Sequence, residues 1–177
     1  KAKIAAADAF LEIALVIGVG FSRYSEHVVP ALLEALNQSL TKSHLQLDWD
    51  LVEYLLQLQI SVCNALDSIV LALCTPDQSN TSAPGALKGS IANIVLGAVA
   101  VLQDSEATLQ SRVAALTLLS DSFSHLREVN PQTCASLAAS AIPEVIRPFS
   151  QRGRSEVRKL ALTCMHALSK FAAAAPQ

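Results

Sequence analysis

Apolar residues recur at threes and fours along nearly the whole chain, and no segment alternates apolar and polar in the manner of a strand. Ile4, Ala7, Leu11 and Ala14 make a first helical stripe, which Gly18 and Gly20 end. Ser22 is the expected cap of a second helix reaching about Leu40, with Val28, Val29, Leu32, Leu33 and Leu36 on its apolar side. The polar stretch 41–47 reads as a loop, after which Asp48 or Asp50 caps a long helix. Its core stripe is Leu51, Leu55, Leu58, Val62, Leu66, Ile69 and Leu73. Val52, Leu56 and Cys63 add a second stripe. A face that wide has to meet at least two neighbours, as the inner helices of a stacked array do.

Residues 75–85, TPDQSNTSAPG, form a loop by composition. A helix is expected over roughly 86–103. Another spans 107–127 and carries Leu109, Val113, Leu116, Phe123 and Leu126. Pro131 suits the first position of a helix that runs to about Ser150, and Gly153 breaks the chain. The last helix has Val157, Leu160, Ala161, Cys164, Leu168 and Phe171 on one face, and the tail AAAAPQ frays. The expected fold is all-α, with seven helices joined mostly by short turns that make neighbours antiparallel. The helices starting near 86 and near 131 begin about 45 residues apart, inside the period of HEAT and armadillo pairs. The pattern therefore predicts an α-solenoid of HEAT-type helix pairs. Residues 1–18 would be the inner helix of a preceding repeat, followed by repeats over 21–74, 86–127 and 131–172.

VVPALLEAL (28–36) and IPEVIRPF (142–149) place Pro30, Pro143 and Pro148 inside helices, late in the outer member of a pair. Proline there bends a helix, and bent outer helices suit a curved stack.

Composition narrows the classes. Apolar residues are 51% and charged residues 16% of the chain, which is not the composition of a disordered segment. The best membrane candidate, Leu55 to Leu73, is interrupted by Gln57, Gln59, Asn64 and Asp67, so no membrane insertion is expected. Asp8 and Glu12 exclude a signal-peptide core over 2–17. The chain opens without Met inside a helical pattern and reads as a piece of a longer solenoid. Apolar surface near Ile4 and Phe10 is then expected to be exposed, with dimerisation or packing there.

Chemistry is scarce. Cys63, Cys74, Cys134 and Cys164 form no C-x-x-C pair and read as reduced, buried small hydrophobes. His27, His44, His125 and His166 fall in different helices or loops, and His166 reads as a surface residue. Phosphate-binding glycine loops are missing, since VIGVGF lacks the third glycine and follows a helix. No Ser–His–Asp set has the strand-to-helix context it needs. An enzyme, a cofactor and a metal site are not expected. The basic run QRGRSEVRK is short and has no aromatic partner, so nucleic-acid binding is not expected either.

Charge is uneven. Residues 1–128 hold 13 acidic and 7 basic side chains, net −6, whereas residues 129–177 hold 2 and 6, net +4. On the long helix, Asp50, Glu53, Gln57, Asn64 and Asp67 share a polar stripe interrupted by Ile60. Glu12 and Asp121 stand at matching places in other inner helices. Carboxylates along successive inner helices would pave a concave surface that suits a basic helix. Taken singly, each is also what an ordinary solvated helix face presents.

Two stretches carry a family resemblance. ADAFLEIALVIGVGFSRYSEHVVPALLEALNQ contains Glu12, Ile13, Ala14, Ile17 and Gly18, followed by Phe21 and Tyr24. DWDLVEYLLQLQISVCNALDSIVLAL opens Asp48, Trp49, Asp50, Leu51, Val52, Glu53, Tyr54, Leu55. These resemble the C-terminal HEAT repeats of the importin-β (karyopherin) family, and the helix order fits to the end of the chain. The resemblance implies a superhelical solenoid for nuclear import, moving between cytoplasm and nucleus through the pores of the nuclear envelope. It implies an acidic inner face for the importin-β-binding helix of importin-α or for basic cargo. In the full-length family it also implies binding of the GTPase Ran and of phenylalanine–glycine nucleoporins. Carried over, the contacts are Glu12, Asp50, Glu53 and Asp121, with Asp48 and Asp67 beside them. Thr163 stands where the family commonly has tryptophan in its last inner helix. The other reading is a different HEAT scaffold subunit, such as a phosphatase scaffold or chromosome-associated subunit, which would bind a folded partner.

Overall fold

The computed structural model describes residues 1–40, 48–74, 84–87, 89–126, 131–150 and 155–172. These contain seven α-helices and no strand: α1 (Ala2–Ile17), α2 (Ser22–Leu40), α3 (Trp49–Cys74), α4 (Ile91–Gln103), α5 (Leu109–Leu126), α6 (Pro131–Ser150) and α7 (Ser155–Ala172). Short 3-10 turns span Gly18–Phe21 and Pro84–Leu87. The expected loop 41–47, most of the loop 75–85, the break at Gly153 and the tail lie outside the described residues, as does His44. So do the side chains of His125, Leu126, Cys134, Pro148 and Phe171.

The helices form two rows. α1, α3, α5 and α7 pack side by side in one row, here termed inner. α2, α4 and α6 make the outer row, and the pairs α2/α3, α4/α5 and α6/α7 bridge the two. Packing between successive pairs makes the molecule an α-solenoid. The core lies between the rows. It is built from Leu32 and Leu36 of α2, Leu58, Val62, Leu66, Ile69 and Leu73 of α3, Ile94 and Val95 of α4, Leu116, Leu119 and Phe123 of α5, and Cys164 and Leu168 of α7.

The ends of α1 and α3 follow from local chemistry. Gly18 sits at φ 53°, ψ −131°, closing α1, while its N–H bonds Ala14 O. Only glycine takes that conformation without strain. The chain then continues as a 3-10 turn directly into α2. Ser22 has helical dihedrals and is the first residue of α2 rather than the expected cap. Asp48 precedes α3, and its carbonyl accepts Leu51 N and Val52 N, each at 3.0 Å. Asp50 stands in the first turn, where its charge favours the macrodipole.

Two further expectations shift. The helix expected from 86 begins at Ile91, because Pro84–Leu87 turn as 3-10 and Ser90 N bonds Leu87 O. The helix expected from 107 begins at Leu109, because Thr108 Oγ1 accepts Ser111 N at 3.1 Å and so takes the cap position.

Burial corrects three more readings. Ile4 and Phe10 are half-buried against the core. The exposed large apolar residues of α1 are instead Ile13, Leu15, Val16 and Ile17, with Val16 82% exposed. In α3 the core stripe is sealed only from Leu58 onward. Leu51 is exposed and Leu55 half-buried, because at 26 residues α3 is longer than α2 or α5. Cys63 and Cys164 are buried as expected, but Cys74 is half-buried.

Pro30 of α2 and Pro143 of α6 are both exposed. The residues four back, Glu26 and Ala139, are exposed too, so each carbonyl that loses its partner lies on the wet side of its helix. By length and composition alone, Ala2–Leu40 and Trp49–Cys74 could each cross a membrane. The second is a core helix of the solenoid, half of that window being buried.

Candidate partner-binding face

Residues of an inner helix that point away from the outer row recur at threes and fours. On α3 they are Glu53, Gln57, Ile60, Asn64, Asp67 and Leu71: Glu53, Gln57 and Asn64 are exposed and the others half-buried. On α5 they are Gln110, Val113, Thr117, Asp121 and Ser124. α7 presents Lys159, Leu162 and His166, all exposed, and α1 presents Asp8 and Glu12, also exposed.

The six expected contact residues fall into three places. Asp48 and Asp50 are exposed at the start of α3 beside Trp49, which is 85% exposed. Glu53 lies one turn further on. Glu12 stands alone on α1. Asp67 and Asp121 face each other across the α3–α5 seam, close enough for the charge of Asp121 to act on Asp67. Glu53 and Asp67 share one stripe but stand 14 residues apart, about 21 Å along the axis. Among the described residues, no ion pair neutralises any of these six carboxylates; the ion pair there is Arg147 with Glu144 on α6.

Asp67 is perturbed. Burial, then the charge of Asp121 and the hydrogen bond with it, push its carboxyl from the ordinary 3.8 up to about 7. Asp67 Oδ1 is buried, and no donor among the described residues reaches it. One turn back, burial and the neighbouring Asp67 push the Cys63 thiol up to about 12, and burial does the same to Cys164. Both thiols stay protonated and inert. Among the described residues, no group of three or more His, Cys, Asp or Glu is placed to hold a metal ion.

Two polar bridges between repeats were not anticipated. Gln59 of α3 is fully buried and donates through Nε2 to Asp104 Oδ2 at 3.0 Å, and Asp104 Oδ1 accepts Glu106 N. Gln103, at the end of α4, donates to Glu144 Oε1 of α6 at 3.3 Å, and Arg147 secures the same carboxylate at 3.0–3.1 Å.

The outer row carries a groove of about 520 Å³ between α2 and α4, lined by Pro30, Leu33, Asn37, Asn93, Leu96 and Gly97 among others. Gly97 lets the helices close there. A Cβ on it would stand 3.1 Å from Leu36 Cδ2 and 3.4 Å from Leu33 Cδ2.

Paired helices stacked in two rows in this way define a helical-repeat scaffold. The chain matches the family described as importin subunit beta-1-like, TPR repeats, over residues 1–149, and it belongs to that family. Comparison with curated proteins gives no match. The matched range holds all six carboxylates, while α7 lies beyond it. The starts of α4 and α6 lie 40 residues apart and those of α5 and α7 lie 46 apart, of HEAT length against 34 for a tetratricopeptide unit.

Proposed function

We propose that this chain is part of a nuclear transport receptor whose inner face holds a basic helix: the importin-β-binding helix of importin-α, or an equivalent segment of basic cargo. The observation that carries the reading is a set of acidic side chains on successive inner helices of an importin-β-like solenoid, neutralised by no ion pair among the described residues: Glu12 on α1, Asp48, Asp50 and Glu53 on α3, and Asp121 on α5, with the half-buried Asp67 beside it. Such a face attracts cations at long range and fixes them by charge. α7 offers Lys159 and His166, so the docked helix ends before it. The groove between α2 and α4, with Leu33 and Leu96 on its walls, is the place for an apolar side chain of a phenylalanine–glycine nucleoporin. Ran would bind other repeats of the full-length protein. The reading assigns no reaction and no cofactor, and it places the protein in cytoplasm, nucleus and pore.

The test is titration of the chain with a fluorescent arginine-rich peptide from the importin-α N-terminus, at low and at physiological salt. Binding that weakens as salt rises supports the reading. Absence of binding to the longer parent chain at low salt overturns it in favour of another helical-repeat scaffold.

A further inference from the structure

We propose that the side of α1 turned away from α3 is a self-association face: a second copy of this chain docks there, α1 against α1, antiparallel about a two-fold axis at Ala9. The proposal stands apart from the binding reading above.

α1 packs on α3 through one stripe, in which Ala7 and Ala14 are buried and Ile4 and Leu11 half-buried. At about 100° per residue, Ala2, Ala5, Ala9, Ile13 and Val16 fall on the opposite side of the helix. All five are exposed, Ile13 by 45% and Val16 by 82%. No charge interrupts this second stripe: Lys3 stands at one edge, Asp8 and Glu12 at the other. A helix apolar on two opposite sides suits cover on both, which α3 has between α1 and α5. The apolar surface widens past Ile13 into a hollow of about 330 Å³, with Phe10, Ile17, Phe21 and Tyr24 on its walls. Apolar surface of this extent marks an interaction site.

The order of sizes along the stripe names the occupant. Ala2, Ala5 and Ala9 are small and fill the first half, whereas Ile13 and Val16 are large and fill the second. Turned end for end, a second α1 sets Val16 over Ala2, Ile13 over Ala5 and Ala9 over Ala9, so a large side chain meets a small one at each end. Parallel order would set large on large and leave gaps between alanines. The stripe is therefore complementary to itself in antiparallel order, which is what an isologous contact requires. The other end of the stack excludes a head-to-tail array. Among the described side chains of α7 the exposed ones are polar or charged, save Leu162. Such a surface does not match a stripe without charge, so the contact closes as a dimer. The second copy also continues the inner row, lying along α1 on the side opposite α3.

Two consequences follow from the geometry. α1 has 16 residues, so the contact is at the small end of stable interfaces and association falls in the micromolar range. The two-fold axis keeps both inner faces on the same side, which brings Asp8 and Glu12 of the two copies near one another. Like charges there oppose association at low salt, and added salt strengthens it. Docking of a basic helix has the opposite salt dependence.

The test is sedimentation equilibrium of the whole chain across the micromolar range, at low and physiological salt, with cross-linking to fix the order. The mass is expected to rise with concentration from 18.7 kDa toward twice that value, and to rise sooner at physiological salt. Val16→Lys and Ala9→Glu each place charge in the contact and should weaken association about tenfold or more. Both sites are exposed, so the melting temperature of the dilute monomer stays the same. In a Cys74→Ser, Cys134→Ser background under mild oxidation, Ala9→Cys should cross-link to itself. Ala2→Cys should cross-link to Val16→Cys and not to itself. A chain that stays monomeric throughout overturns the proposal and leaves the face to a different helix. A dimer untouched by Val16→Lys and Ala9→Glu overturns the location. Self-linking of Ala2→Cys without the mixed product overturns the antiparallel order. None of these outcomes bears on peptide binding, which is read separately.

Discussion

Gln59 of α3 and Asp104, at the end of α4, meet across the seam between two helix pairs: the buried amide donates to the carboxylate at 3.0 Å. Gln59 has no access to water, so removing the Asp104 carboxylate strands its amide, whereas Asp104 is half-exposed and keeps the Glu106 N–H. Asp104→Ala is expected to cost about 1.5–3 kcal/mol in chemical denaturation, and Gln59→Leu less, because it also removes a buried Oε1 that no donor among the described residues reaches. Their double mutant should cost less than the sum. Additive effects would show that the bond does not couple the repeats.

Asp67 gives stability a defined pH dependence. Its carboxyl is raised from 3.8 to about 7 on folding, so between those values the folded chain binds more protons than the unfolded one. Its contribution is fully present below about pH 4 and is lost as pH rises through about 7. Asp67→Asn lacks the proton and keeps the shape. The variant should be more stable than the parent at pH 8, by roughly 1–2 kcal/mol once partial exposure is allowed for, and no more stable at pH 4. Thermal melts at the two pH values decide it.

Charge reversal at Glu53 tests the binding face without disturbing the core, because the side chain is exposed. Glu53→Lys should weaken the arginine-rich peptide several-fold at low salt and less at physiological salt, with an unchanged melting temperature. A loss that ignores salt would argue against a contact made by charge.

Gly18→Ala forces a side chain into positive φ at the end of α1. The surrounding space is open, so the penalty is conformational, about 1 kcal/mol or somewhat more in chemical denaturation. An unchanged stability would mean that the turn relaxes into ordinary helix.

Thiol accessibility should sort by burial. In a Cys134→Ser background, Cys74 should react with a disulfide reagent in the folded state. Cys63 and Cys164, both raised to about 12, should react only on unfolding. Fast labelling of all three would contradict the packing of α3 and α7.

Helix period carried most of the fold into view before any coordinates. The starts of α2 and α6 fall within a residue of the reading because a glycine turn and Pro131 mark them. The start of α4 was misplaced because Ala86 and Leu87 continue the apolar rhythm, and Leu87 is indeed buried, but in a 3-10 turn. Burial of Leu51 was overread for a related reason: periodicity shows which side of a helix is apolar, and not how far its neighbours extend. For the face, residue type and spacing identified the carboxylates singly. That Asp67 and Asp121 face each other depends on the offset between two packed helices, which no pattern within either helix contains.

Packing in this chain runs almost entirely between an element and the next one or two along the sequence. The chain therefore closes only short loops as it folds, which keeps the entropy of each step small. A growing chain can dock each helix pair as it emerges from synthesis, on a template already in place. Assembly by extension, in the order of translation, needs no distant segment to arrive first.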